Sequence, residues 1–208
     1  KGRLRMTEFP VAGVQADFLT APLEHRFRCD FYKVNKKSTR VVVTLAVPKD
    51  QFRGAGGGFQ APDMTLSVAV DDARKGKPVG NFSESMQIAG GASLLMDRPV
   101  VLQGSFTIEP GTYKAVFTIV DRKSHRGVSR TETIEAPDFG RGLALSSIAV
   151  GRVREEPPAA GNAGDFGSAT LIPEPDTIFR PGETILFAYE VYNASHGGST
   201  KPDLDVQY

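Results

Sequence analysis

EPGTYKAVFTIVDRKSHRGVSRTETIEA, residues 109–136, holds two alternating runs joined by a polar turn. Tyr113, Ala115, Phe117 and Ile119 recur at every second position, the period of a strand that turns one face to a core. The Pro110-Gly111 pair ahead of them makes a turn. A tyrosine just after such a turn can pack its ring inward while its hydroxyl bonds the preceding connection, which is the tyrosine corner of β-sandwiches. The tip DRKSHRG ends in Gly127 and reads as a hairpin, with Val128 to Glu135 as the returning strand. The unit closes near Pro137.

Working outward, the 22 glycines and 14 prolines fall between short β-branched or aromatic runs, as in many strands joined by turns. Arg26 to Val34, Arg40 to Val47, Met64 to Val70 and Val100 to Ile108 read as further strands. Val41, Val43, Leu45 and Val47 share one face, as do Leu66, Val68 and Val70, so one face is expected to pack and the other to be wet. In HRFRCDFYKV, Phe27, Cys29 and Phe31 share one face and Arg26, Arg28 and Asp30 the other. Cys29 reads as a small core residue.

A second series begins at LALSSIAV (residues 143–150). The segment REEPPAAGNAGDFGS has proline, glycine and alanine without periodicity and reads as a flexible loop over about 154–168. Strands resume at Thr170. RPGETILFAYEVYN adds a turn at Pro181-Gly182 and a strand with Ile185, Phe187, Tyr189 and Val191 on one face, and Leu204 to Tyr208 begins another. About four strands after Leu143 fall short of the seven or so of an immunoglobulin-like unit. The expected fold is therefore all-β, with two consecutive immunoglobulin-like or fibronectin-like β-sandwich units. The first spans residues 1–140; the second, residues 141–208, is expected to be incomplete, its open edge finished by more chain or by a partner's strand.

Twenty-five basic residues against 24 acidic ones leave a formal charge of +1, no footprint for nucleic acid. No apolar run approaches the roughly 20 residues that span a bilayer, and the opening KGRLRMTEFP has no signal-peptide core. A single cysteine excludes an intramolecular disulfide and a cysteine-rich zinc site. GAGGG, residues 54–58, lacks the Lys-Ser/Thr end of a phosphate loop and reads as a flexible loop. Asp71 and Asp72 precede RKGK without spaced oxygen ligands for calcium and read as a solvated turn. His25, His125 and His196 stand apart, with no H-x-H or HExxH spacing. No G-x-S-x-G elbow occurs. Asn81-Phe82-Ser83 and Asn193-Ala194-Ser195 match the glycosylation acceptor pattern. No catalytic residue, metal ligand or cofactor is expected, and the binding residues are not named by the sequence.

Three runs in order, FRCDFYKVNKKSTRVVVTLAVP, EPGTYKAVFTIVDRKSHRGVSRTETIEAPDFGRGLALSSIAV and FRPGETILFAYEVYNASHGGSTKPDLDVQY, resemble the C-terminal region of acidobacterial von Willebrand factor type A-related (VWFA-related) proteins. The matching positions are Pro110, Gly111, Tyr113, Ala136, Pro137, Asp138, Phe139 and Leu143 to Ser147, followed by Pro202 to Gln207. The resemblance implies a bacterial, exported protein, periplasmic or extracellular, and little chemistry. The Asp-x-Ser-x-Ser adhesion motif of a true type A domain is absent, so no adhesion metal carries over.

The expected function is that of a non-catalytic exported structural or protein-interaction module, as an accessory subunit of a larger envelope or membrane-associated assembly. The alternative is a carbohydrate- or surface-binding module that stacks ligands on Tyr189, Tyr192, Phe52 or Phe59.

Overall fold

The computed structural model describes residues 22–54, 56–88, 98–153, 171–195, 201–202 and 204–205. Eight strands come first: β1 (Arg26–Asn35), β2 (Ser38–Val47), β3 (Met64–Asp72), β4 (Pro78–Ser85), β5 (Gln87–Ile88), β6 (Val100–Ile108), β7 (Gly111–Asp121) and β8 (Arg126–Ala136). They form two antiparallel four-stranded sheets, ordered β1-β2-β6-β5 and β4-β3-β7-β8. Among the described residues the helical content is a 3-10 turn, Lys49–Phe52. The protein is all-β and sandwich-like.

One apolar cluster fills the space between the sheets. Val41, Val43, Leu45 and Val47 come from β2, Leu66, Val68 and Val70 from β3, and Ala115, Phe117 and Ile119 from β7. Phe117 is 0 % exposed and meets Phe27 edge-on at 5.1 Å and Phe106 at 6.3 Å. Each buried aromatic of this kind removes enough apolar surface from water to stabilise the fold by roughly 1.5–3 kcal/mol. Phe27, Cys29 and Phe31 lie against the same cluster from β1.

The corner is formed as the sequence predicts. Buried Tyr113 donates its hydroxyl to the Glu109 carbonyl at 3.0 Å. Its ring folds back over Gly111, where an added Cβ would lie 2.9 Å from the Tyr113 hydroxyl oxygen, so the glycine is required for room. The β7–β8 turn differs in detail. Gly127 lies inside β8, paired with Val120, and the left-handed residue is His125, φ 55°. The Asp121 carboxylate holds this turn by accepting from the Ser124 hydroxyl at 2.6 Å and the Asp63 amide at 2.9 Å.

Five shorter strands follow: β9 (Ala144–Leu145), β10 (Ala149–Val153), β11 (Leu171–Pro173), β12 (Leu186–Ala188) and β13 (Val191–Tyr192). They form a three-stranded sheet, β11-β10-β12, and a two-stranded one, β13-β9. At Gly151 a Cβ would sit 2.1 Å from the Ile172 carbonyl oxygen, so β10 and β11 approach as closely as they do because the residue is glycine. The expected single strand around Phe187 is two strands, broken at Tyr189-Glu190, and LALSSIAV is likewise broken at Ser146-Ser147-Ile148. The pairs Tyr192↔Ala144 and Val191↔Leu145 give way to Ala188↔Ala149 and Phe187↔Val150, so three residues oppose two. That is a β-bulge.

These strands correct one expectation about the sandwich. The outer face of β2 was expected to be wet, yet Val42, Thr44 and Ala46 are as buried as the residues on its inner face. Ile172 of β11 packs on Ala46 and Val101, and on the same face the buried Gln103 side chain donates to Thr44 at 3.1 Å. Asp30, placed by its period on the outer face of β1, is also buried. The loop expected over about 154–168, His196 and the segment Val206 to Tyr208 lie outside the described residues. Leu204 and Asp205 are not in a strand.

Candidate functional site

The outer edge of β1 meets the bulge. Ser147 accepts from the Phe31 amide through its hydroxyl at 2.8 Å, and its own amide donates to the Phe31 carbonyl at 3.0 Å. Two residues further, the Tyr192 hydroxyl accepts from the Lys33 amide at 3.0 Å and donates to Glu190. Burial and then the Glu190 contact push the Tyr192 phenol up to about 12, so it stays protonated in this role. A bulge re-aims side chains; here it sets Ser147 where a neighbouring strand would otherwise stand.

Polar contacts extend the seam. Arg28 donates to the Ile148 carbonyl and pairs with Asp30 at 2.7 Å. Burial raises the Asp30 pKa against the opposing pull of Arg28. Asn193, left-handed at φ 57°, donates its side-chain amide to the Phe139 and Gly142 carbonyls, while its oxygen accepts from Lys33 Nζ at 2.6 Å. With both amide hydrogens engaged, Asn193 is a structural tether; Asn81 of the other glycosylation pattern is exposed on edge strand β4.

The C-terminal segment also displays apolar side chains. Among the described residues, seven of the ten exposed large hydrophobics are Leu143, Leu145, Ile148, Ile178, Ile185, Phe187 and Leu204. Phe187, at 65 % exposure, lies on β12, an edge strand of its sheet. Scattered single apolar residues need no explanation, but a concentration beside an unpaired edge is the usual mark of a contact surface.

The residues singled out for chemistry lie apart from one another. Cys29 packs against the core, and burial, then Asp30, pushes its thiol up to about 12, the range of an inert cysteine. His25 bonds the Leu23 carbonyl through Nδ1 at 2.8 Å. Asp72 accepts from the Arg74 and Lys75 amides in a tight turn at the end of β3. The glycine run forms the tip of a small hairpin that leads into a strand, closed by the Arg53↔Phe59 bridge and the Gln60 amide on the Phe52 carbonyl at 2.7 Å. It presents no helix N-terminus to an anion.

Of the four aromatic platforms, Phe52 is corrected: it belongs to the core, at 4 % exposure. Tyr192 is enclosed between Phe139, 5.1 Å away, and Lys33 Nζ over its ring at 5.5 Å. Tyr189 is half-buried. Phe59 is 39 % exposed and borders a cavity of about 760 Å³ that also touches β1, the 3-10 turn and the Glu174–Asp176 turn. Sequence reading missed this cavity because its walls come from residues more than a hundred positions apart. It missed the seam too, although two adjacent serines interrupting an apolar run were a visible sign of a bulge. Neither the known protein families nor the curated proteins compared with this chain match it.

Proposed function

We propose that this chain is a non-catalytic structural or protein-interaction module whose contact surface is the apolar side of its C-terminal strands. One observation carries the reading: among the described residues, exposed apolar side chains concentrate from Leu143 onward, on β9, on β12 and in the segments between the C-terminal strands, and β12 is an edge strand of its sheet. A partner strand laid beside β12 would satisfy its backbone groups and cover Phe187 and Ile185 at once. The order β1-β2-β6-β5 against β4-β3-β7-β8, with the tyrosine corner, supports an immunoglobulin-like unit. Such units serve widely as assembly parts. The resemblance to the C-terminal region of VWFA-related proteins supports a periplasmic or extracellular address and a place as an accessory subunit of an envelope assembly.

The test uses the native protein purified gently from its source, with intact-mass and cross-linking measurements. Stoichiometric partner chains cross-linked near β12, and lost in a Phe187→Glu variant that keeps its circular dichroism, are the expected outcome. A partner retained at full stoichiometry by that variant, or no partner at all, would sink the reading.

A further inference from the structure

The cavity beside Phe59 is separate from the β12 edge, and its lining has an unusual balance. Four acidic side chains, Glu24, Asp50, Glu174 and Asp176, face four basic ones, Arg26, Lys49, Arg53 and Arg98. Several are already matched: Arg26 with Asp176 at 3.6 Å, Arg152 with Glu174, and Arg98 with Glu183. With four charges of each sign the lining carries no net charge to attract a simple ion. Paired guanidinium and carboxylate groups can still donate and accept hydrogen bonds at their outer atoms.

The Phe59 ring supplies the apolar element. Lys49 Nζ lies over it, 5.0 Å from the centroid, and helps hold it in place. Gly57 and Gly58, next to the ring in the chain, add no side chain to the wall. Gly57 needs its left-handed backbone, φ 75°, but Gly58 has no such need, and a Cβ at Gly58 would meet nothing within 4 Å. Position 58 therefore has room for a side chain, and glycine there leaves the wall next to Phe59 low. A cavity of about 760 Å³ lies within the roughly 300–1,000 Å³ range of small-ligand sites.

We propose that this cavity binds a short neutral saccharide, stacked by its C–H face on the side of Phe59 that Lys49 leaves free and hydrogen-bonded through its hydroxyls to the surrounding charged side chains. The negative face of an aromatic ring attracts polarised C–H groups, and a polyhydroxylated ligand without charge suits a lining whose charges balance. This goes beyond the protein-contact reading and does not depend on it.

The experiment is an amide-resolved NMR titration of the full chain with cellobiose, maltotriose and diacetylchitobiose, with glucuronate and inorganic phosphate alongside. Saturable shifts centred on Gly57, Gly58 and Phe59 are expected with at least one neutral sugar. Phe59→Ala should weaken that binding at least tenfold, and Gly58→Leu should abolish it with an unchanged melting temperature. Phe187→Glu should leave the titration unaltered, which separates this site from the strand edge. No saturable shift with any of the three sugars, a response to the charged probes alone, or shifts that persist unchanged in both cavity variants would overturn the proposal.

Discussion

Phe117 and Phe187 both sit mid-strand among apolar neighbours, yet the first is 0 % exposed and the second 65 %. The difference lies in what faces them. Phe117 on β7 looks across to β1 and β6 of an opposing sheet, and the two sheets close on a shared core. Phe187 belongs to a sheet of three short strands whose described residues place no second sheet over its side chain. Alternation states that a strand has an apolar face; burial requires a partner for that face, which a neighbouring sheet supplies in one region and a separate molecule is proposed to supply in the other.

The sharpest test of this contrast is truncation at its buried pole. Phe117→Ala should lower the unfolding free energy by about 3–5 kcal/mol in denaturant titrations. Asp121→Asn comes next, because its turn ties β7 to β8 and to the residue before β3. Burial alone would raise the Asp121 carboxyl, but bonds from the Ser124 hydroxyl and the Asp63, Lys123 and Ser124 amides overcome it and hold the pKa below the usual range. A depressed carboxyl gives stability that is present above the unfolded pKa, about 4, and lost as pH falls through the folded value. The variant should therefore be roughly 1–3 kcal/mol less stable near neutrality, and its melting temperature should fall less steeply than that of the native chain in acid.

Tyr113→Phe removes only the hydroxyl of the corner and should cost about 1 kcal/mol in the same titrations. Six of the eight sandwich strands, their inner faces and this corner were legible in the sequence because period-two alternation and turn residues act locally. β4 was not, since an edge strand with Phe82 half-covered and Val79 exposed carries too little apolar pattern to show. The burial of Val42, Thr44 and Ala46 on the second face of β2 was also hidden. Valine, threonine and alanine suit a covered surface as well as an open one, and the residue that packs on Ala46, Ile172, is far away in sequence.

Smaller effects probe the C-terminal strands. Ser147→Ala should speed hydrogen exchange at the Phe31 amide severalfold and cost about 1 kcal/mol, with the Val43 amide unchanged. Smallest of all, Phe187→Ala should alter stability by less than about 0.5 kcal/mol. A large loss there would erase the distinction between a buried and a displayed phenylalanine and would show that β12 is covered within the chain itself.

The hydroxyls that cover the β1 edge have a further consequence. A bare edge strand is a template on which other chains can grow into fibrils, and proteins commonly blunt such edges with charge, bulges or a covering segment. Here Ser147 and Tyr192 occupy the Phe31 and Lys33 amides with side chains rather than with a full strand. A hydroxyl terminates a ladder that a strand would have extended. The same two residues that fasten the C-terminal strands to the sandwich thus stop its first sheet from propagating, and direct intermolecular growth away from β1.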